Sequence, residues 1–349
     1  MNEESRRRRA PWRRLWLTAG VMAVALAGLT VVAVWHRSPP SVALPLRAAG
    51  EIALPGDSSR FDYASLDAAR GLLFVAHLGA SEIVVVDVHA GAVVRAVRGV
   101  EQVHGVLVVP ERHRVYATAT GANQILILDE DTGAPLARAP TGDYPDGLAY
   151  DPIHATIWTT NKAGGSETVI DADSGQVRGT VQLGGQAGNV AYDPQSRQIL
   201  ADVQTRNEVA VIDPGSLTVT WRVALPGCDH NHGLALDPAH RLAFVACDAN
   251  ATLLTVDMNT WKIVATQRVG DSPDVLAYDP AAGRLYVAAE SGRLTILDER
   301  NRNMTVAGRS HLADAAHVVA VDPTTHRSFY PVPHGRGGGP ALLTYLPTR

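Results

Sequence analysis

The chain has 349 residues, of which 46% are hydrophobic and 19% charged, and its formal net charge is −4 at pH 7. A chain of this composition buries a large core, which excludes an intrinsically disordered protein. Aromatic residues make up only 5% of the sequence and no basic stripe follows the first 14 residues, so we expect no nucleic acid partner.

The N-terminus predicts a membrane anchor. Residues 1–14 contain six arginines and two glutamates, and residues 15–35 form a run of 21 without a charge. As a helix this run spans ~31 Å, about one hydrocarbon core. We expect a cytoplasmic segment at 1–14, a signal-anchor helix at 15–35, and the rest of the chain in the periplasm or at the cell surface. A cleaved signal peptide and a buried core helix are the alternatives.

Residues 36–45 contain three prolines and are typical of a short stiff linker. Because residues 1–14 carry +4, the remainder of the chain carries −8. An acidic exported domain is a poor match for nucleic acid or anionic lipid as its ligand.

Residues 46–349 repeat one motif about every 42 residues. Its clearest copy is PDGLAYDP, which begins at Pro145. The other copies begin at Phe61, Val103, Ala187, Asn231, Pro273 and Ala316. A period in the low forties indicates the blades of a propeller, with four short strands in each unit.

The third copy shows how one period divides into strands, at 147–150, 156–160, 168–171 and 176–181. The last copy is one strand short, whereas residues 48–54, before the first copy, match an outer strand. We therefore predict an all-β, seven-bladed β-propeller with four-stranded blades, closed by the N-terminal strand and preceded by one transmembrane helix.

The inner-strand motif and the run IWTTN at 157–161, followed by TVID at 168–171, resemble the YVTN repeat proteins, seven-bladed propellers similar to the YncE family. The resemblance covers about residues 46–349, although no blade spells YVTN: YVAA stands at 286–289 and YATA at 116–119. It implies an exported propeller. Propellers as a class host binding, scaffold and enzyme functions alike.

The second residue of each copy is expected to form a polar ring at one mouth of the central channel, since all inner strands run alongside one axis. The ring positions are Asp62, His104, Asp146, Gly188, His232, Asp274 and His317. This mixture of Asp and His favours a divalent transition metal (Zn, Mn, Fe or Cu) over calcium. The alternatives are a polar ring without metal and separate structural roles.

The second strands run back to the same mouth, so we expect further ligand-binding residues where they end. Together with Asp229 and His230, which lie just before the fifth ring position, this predicts the set His77, Asn161, Asp229, His230, Glu290 and His334. At the opposite mouth, four histidines in turns are expected to be solvated: His113, His154, His240 and His326.

Cys228 and Cys247 are the two cysteines of the chain. Antiparallel pairing around the turn at 237–240 places residue 230 opposite residue 247, which brings the cysteines within disulfide reach. Export favours their oxidation. A copper site built with His230 and His232 and a pair of free thiols are the alternatives.

The function expected from these features is that of a membrane-anchored binding module, with a small ligand, metal or protein partner at the His/Asp-lined mouth. One alternative is a metal-dependent hydrolase or lyase at the same mouth, with three imidazoles holding the ion and a ring Asp as base. Lactonase-like propellers are the fold-level analogy for it. A cell-envelope scaffold, which would use the outer rim, is the other alternative.

Overall fold

The computed structural model describes residues 39–348. The cytoplasmic segment and the transmembrane helix expected at 1–35 lie outside the described residues. Between residues 39 and 348, no helix is long and apolar enough to cross a membrane. The described residues form 28 strands in seven four-stranded antiparallel sheets, which confirms the predicted seven-bladed propeller.

Blades are numbered in chain order. The strands are β1 Leu46–Ala53, β2 Ala64–Asp67, β3 Leu72–His77, β4 Glu82–Asp87, β5 Ala92–Arg98, β6 Val103–Val109, β7 Arg114–Ala119, β8 Gln124–Asp129, β9 Pro135–Pro140, β10 Pro145–Asp151, β11 Thr156–Asn161, β12 Ser166–Asp171, β13 Val177–Gln182, β14 Ala187–Asp193, β15 Gln198–Val203, β16 Glu208–Asp213, β17 Thr218–Ala224, β18 Asn231–Asp237, β19 Leu242–Cys247, β20 Thr252–Asp257, β21 Lys262–Arg268, β22 Pro273–Asp279, β23 Arg284–Ala289, β24 Arg293–Arg300, β25 Asn303–His311, β26 Ala320–Val321, β27 Ser328–Val332 and β28 Ala341–Pro347. Short 3₁₀ helices lie at Pro110–Arg112, Thr120–Ala122, Gln204–Arg206 and Asp248–Asn250.

The seventh blade closes the ring as the strand count predicts. Its sheet runs β26, β27, β28 and then β1, so the N-terminal strand is the outer strand of the last blade. The pairing extends from Leu46 opposite Pro347 to Ala53 opposite Ala341. This pairing completes the four strands of the last blade and so joins the two ends of the described chain in one sheet. Val42, in the expected linker, also bridges to Arg309 of β25.

The hydrophobic core lies between neighbouring blades. The two middle strands of each blade are rich in β-branched residues and are buried on both faces, as in β4, whose sequence is EIVVVD. One cluster joins Trp158 of blade 3 to Ile199 of blade 4, and another joins Phe244 of blade 5 to Val287 of blade 6. Each such buried side chain contributes about 1.5–3 kcal/mol, so blade-to-blade packing holds the ring together.

The aspartates that end the inner strands explain the repeated DP element. Each accepts a hydrogen bond from a backbone N–H two or three residues later, which stabilises the turn into the second strand. These aspartates are Asp67, Asp151, Asp193, Asp237, Asp279 and Asp322.

Inner strands of neighbouring blades approach closely at the glycine that follows the ring position. A Cβ at Gly105 would lie 2.2 Å from the carbonyl oxygen of Asp146, and one at Gly233 would lie 2.3 Å from that of Asp274. Only glycine leaves room for the next strand here. Glycine is therefore a packing requirement in blades 2 and 5, whereas other residues stand at this place in blades 1, 4, 6 and 7, namely Tyr63, Asn189, Val275 and Val318.

The predicted disulfide is confirmed. Cys228 lies in the connection into blade 5, Cys247 ends β19, and the two sulfurs are bonded across a Cα–Cα distance of 5.4 Å. Asn231 pairs with Cys247 in the ladder, which is the register that the sequence predicts to within one residue. The bridge ties the entry of blade 5 to the end of its second strand.

Candidate functional site

A bulge at the start of the inner strands positions the ring residues. In blade 3, Pro145 pairs with Asn161 and Leu148 with Thr159, so two inner-strand residues, Asp146 and Gly147, oppose one. Similar irregularities occur in blades 2, 4, 5 and 6. A β-bulge turns a side chain away from the regular alternation. It thereby directs the ring side chains toward the mouth.

A cavity of about 480 Å³ occupies this mouth. Its lining includes Asp62, His104, Asp146, His232 and Asp274 of the predicted ring. The ring carries Gly188 in blade 4 because a Cβ there would lie 2.8 Å from Cβ of Asp202. The sixth polar ring residue, His317, is buried behind Asp274 and Glu290.

Arg60 forms the centre of the carboxylate side of the cavity. Its guanidinium lies 2.5 Å from Oε1 of Glu290 and 3.5 Å from carboxylate oxygens of both Asp62 and Asp274. Burial, together with the charges of Asp274 and Asp146, raises the pKa of Asp62 well above its usual range. One guanidinium therefore lies beside three carboxylates, of which Asp62 loses its proton least readily.

His232 and Asp274 form a buried hydrogen-bonded pair, which becomes an ion pair when the imidazole is protonated. Nε2 of His232 lies 3.1 Å from Oδ1 of Asp274, and its Nδ1 lies 2.9 Å from Nε2 of Gln204. Burial opposes ionisation of Asp274, but the hydrogen bond from His232 and the nearby positive charges outweigh it and lower the pKa of Asp274 to about 2. Burial likewise opposes charge on His232, yet the Asp274 carboxylate raises its pKa.

His104 and Tyr144 form a neutral pair on the other side. Nδ1 of His104 lies 2.9 Å from the carbonyl oxygen of Gln102, and its Nε2 lies 3.0 Å from the Tyr144 hydroxyl. Burial lowers the pKa of His104, so the neutral ring donates to Gln102 and accepts from Tyr144. Nζ of Lys162 lies 3.7 Å from Asp146 and 5.9 Å from the centre of the Tyr144 ring.

A hydrogen bond beneath the mouth crosses the channel. The hydroxyl of Tyr63 in blade 1 donates to Oδ1 of Asn189 in blade 4 at 2.7 Å. Both residues also line a second cavity of about 350 Å³ deeper in the channel. The Tyr63–Asn189 bond thus forms the floor of the mouth cavity.

The second-strand residues are displaced by one position from the expectation. His77 and Asn161 end their strands and are fully buried inside the blades. Asn161 hydrogen-bonds Ser166, Thr168 and the N–H of Gly142, while His77 stacks on Phe61. Successive side chains of a strand point to opposite faces, so the residue after each strand end reaches the mouth instead. The cavity is lined at that position by Leu78, Lys162, Gln204, Asp248 and Glu290.

Three other predicted residues lie away from this lining. Asp229 and His230 are largely exposed, with side-chain exposures of 62% and 43%. His334 lines a separate pocket with Glu51 and Arg336, and its Nδ1 lies 3.2 Å from the carbonyl oxygen of Gly338. Of the six residues predicted around the ring, Glu290 is thus the one in the lining of the mouth cavity.

Residues immediately before the motif were missed by the sequence reasoning. Gln102, Tyr144 and Ser272 all line the cavity and all have positive φ, of 47°, 61° and 51°. This backbone conformation turns the chain sharply into the inner strand and exposes the side chain at the mouth. The sequence feature that could have identified these residues is their position, since each directly precedes the first residue of a motif copy. Arg60 stands at the same place, one residue before the copy that begins at Phe61, so the same signal applies to it although its φ is not positive.

One group in the mouth fits a metal ion. Asp274, Glu290 and His317 have ligand atoms that all lie within 4.8 Å of one another. Nε2 of His317 hydrogen-bonds the carbonyl oxygen of Phe61, which orients the imidazole ring. The other ring nitrogen, Nδ1, is buried without a hydrogen bond and lies 3.4 Å from Oε2 of Glu290. In residues 39–348, the three ring histidines do not form such a group together.

No family model matches this chain, and no curated protein matches its sequence. Among solved structures, it is similar to hydrazine synthase of Kuenenia stuttgartiensis, with 16% sequence identity and a TM-score of 0.69. The match covers 79% of this chain and 95% of the other. A likeness at this identity shows the propeller fold alone.

Proposed function

We propose that the mouth cavity binds a small polar ligand that carries positive charge. The observation that supports this most is the excess of carboxylates over cations. Among the described residues, five carboxyl groups line the cavity, those of Asp62, Asp146, Asp248, Asp274 and Glu290, against the cations Arg60 and Lys162 and the imidazole of His232. A concave site lined with one sign of charge concentrates ligands of the opposite sign.

Asp62 and Tyr144 indicate where the positive group would lie. Burial, followed by the charges of neighbouring carboxylates, raises the pKa of Asp62, and a ligand cation beside it would favour ionisation. Tyr144 is partly exposed at the cavity and presents an aromatic ring, whose face attracts ammonium groups. An amine between Asp62 and Tyr144 would therefore be attracted both by the carboxyl group and by the face of the aromatic ring. Its binding should release the Asp62 proton.

Isothermal titration calorimetry of the full chain with putrescine, spermidine, lysine, succinate and glucose tests the proposal. We expect amines to bind, and binding to weaken at least tenfold in Asp62→Asn and in Asp146→Asn. Asp131→Asn, outside the cavity, is the control. Titration in buffers of different ionisation enthalpy should show proton release. Equal affinity of wild type and Asp146→Asn for every amine would refute the proposal.

A divalent transition metal (Zn, Mn, Fe or Cu) at Asp274, Glu290 and His317 is a second candidate, favoured by the unbonded Nδ1 of His317. The ion would have to displace Arg60 from both carboxylates. A metal-dependent hydrolase or lyase at this mouth would follow from it, with the His104–Tyr144 pair available to move a proton. Plasma mass spectrometry of untagged protein tests this, since His317→Gln should lose one ion per chain. Turnover of a lactone and ester panel then separates an enzyme from a binding module.

We further propose that the propeller is exported, as a relative of the YVTN repeat proteins anchored by residues 15–35. The Cys228–Cys247 disulfide supports this location, because such bonds persist in oxidising compartments. Carbonate extraction of membranes and protease treatment of intact cells test the two parts. A protein released by carbonate would contradict the anchor, and one protected until the cell envelope is fully lysed would contradict export.

A further inference from the structure

Histidines in turns at the end of the channel opposite the mouth bond buried carboxylates and are half exposed, where the sequence predicted plain solvation. The pairs and their Nδ1–Oδ2 distances are His154–Asp151 at 2.6 Å, His240–Asp237 at 2.8 Å and His326–Asp279 at 2.7 Å. In each pair the aspartate ends an inner strand. The imidazole is thereby held at a fixed place over the turn.

His240 differs from the other two because a second buried carboxylate, from the next blade, faces it. Oε2 of Glu299 in blade 6 lies 3.4 Å from Nδ1 of His240. The ligand atoms of Asp237, His240 and Glu299 all lie within 4.8 Å of one another. In the part of the chain that the structure describes, no such three-residue group forms around His154 or His326.

The two carboxylates are buried, with exposures of 1% for Asp237 and 6% for Glu299. Asp237 Oδ2 accepts from the Tyr278 hydroxyl at 2.7 Å, and Glu299 Oε1 accepts from the N–H of Arg302. Glu299 Oε2 is the oxygen that faces the imidazole, 3.4 Å from Nδ1 of His240. The side chain of Arg302 is bonded to Asp257 instead.

The surplus of negative charge at this place is large for a buried site. Two buried carboxylates thus share one imidazole that remains half open to solvent, so a cation at this position would be stabilised and could be reached from outside.

We propose that Asp237, His240 and Glu299 form a divalent transition-metal site that links blades 5 and 6. One imidazole nitrogen and two carboxylate oxygens are ligands that Zn²⁺ accepts. Tetrahedral ligands about 2.0–2.1 Å from Zn²⁺ lie roughly 3.3 Å apart, which is close to the 3.4 Å between Nδ1 of His240 and Oε2 of Glu299 and longer than the 2.8 Å to Oδ2 of Asp237. The ion would bind Nδ1 of His240 and displace its proton, and the exposed side leaves a coordination position for water.

The test is a zinc titration of the full, untagged chain by calorimetry and by plasma mass spectrometry after dialysis. We expect Glu299→Gln and His240→Ala each to lose one zinc per chain. Glu299→Gln keeps the bond to Arg302 and removes only the charge. His154→Ala is the matched control, since it removes the equivalent turn histidine of another blade, where no third ligand lies nearby. His317→Gln is a second control, which removes the candidate metal group at the mouth.

Zinc should also raise the Tm of the wild type and not that of Glu299→Gln, because the ion joins two blades. Cobalt bound to the wild type should give the visible absorption of a tetrahedral N/O site, a readout that does not depend on the folding of any variant. No zinc bound to the wild type, or equal zinc binding by Glu299→Gln, would overturn the proposal. An equal loss of bound zinc in His154→Ala and in His240→Ala would also overturn it.

Discussion

Replacing His232 by Gln tests the electrostatic account of the mouth. Gln can still donate a hydrogen bond to Asp274, which lies 3.1 Å away, but it cannot carry charge. Both residues are more than nine-tenths buried, so water compensates little for the loss. The variant therefore removes the ionic part of the interaction and leaves its geometry nearly intact.

The expected magnitude follows from the pKa of Asp274. It falls from 3.8 to about 2 in the folded protein, and each tenfold change in proton affinity is worth about 1.4 kcal/mol. The interactions of the ionised carboxylate thus favour folding by about 2–3 kcal/mol. Since Arg60 also contributes, we expect His232→Gln to cost about 2 kcal/mol, or a Tm lower by about 3 °C for a chain of this size.

The pH dependence has a definite sign. The folded pKa of Asp274 is lowered, so its contribution is present above pH 3.8 and is lost as the pH falls toward about 2. The folded pKa of His232 is raised, so its contribution is present below about 6.5 and is lost as the pH rises through the folded value. The stability difference between wild type and His232→Gln should therefore be largest between about pH 4 and 6.5.

Thermal unfolding of the wild type, His232→Gln, Asp274→Asn and the double variant, at several pH values, measures this. The double variant should lose less than the sum of the two single losses, because each single variant leaves one unpaired partner. His104→Gln is the control, since its partners are neutral, and it should cost about 1 kcal/mol or less without this pH profile. Additive losses, or a profile shared with His104→Gln, would refute the ion pair.

Three further predictions concern the rest of the fold. Replacing Cys228 and Cys247 by Ala should cost about 3 kcal/mol in urea unfolding, since the bridge closes a loop with a sequence separation of 19; an unchanged midpoint would contradict this. Asp62→Asn should raise the Tm relative to wild type, and by more as the pH rises above 4, because the raised pKa of Asp62 in the folded protein makes its ionisation destabilising. A Tm difference that falls with rising pH would contradict this prediction. Gly105→Ala should destabilise by about 1–3 kcal/mol, whereas Gly339→Ala, which has no atom within 4 Å of its Cβ position, should change little; similar effects of both would count against the close approach of inner strands.

The part of the site that the sequence could predict is the part that repeats. Asp146, His232 and Asp274 occupy the same place in successive copies of one motif, so a single argument about inner strands locates all three at the mouth. The prediction for the ends of the second strands was wrong by one residue because it depended on features that the repeat does not specify. Whether Asn161 or Lys162 faces the cavity depends on where each strand ends and on strand alternation, and the repeat spacing does not specify either.

By itself, the sequence determined the blade count, the closing strand, the polar ring and the disulfide, because each follows from a regular period or from pairing within one blade. Only the tertiary structure decided which charges meet. Arg60 reaches Glu290 across 230 residues, and Glu299 faces His240 from the neighbouring blade. Such contacts depend on side-chain direction and on the distance between blades around a closed ring. A pattern read along one strand at a time contains neither quantity.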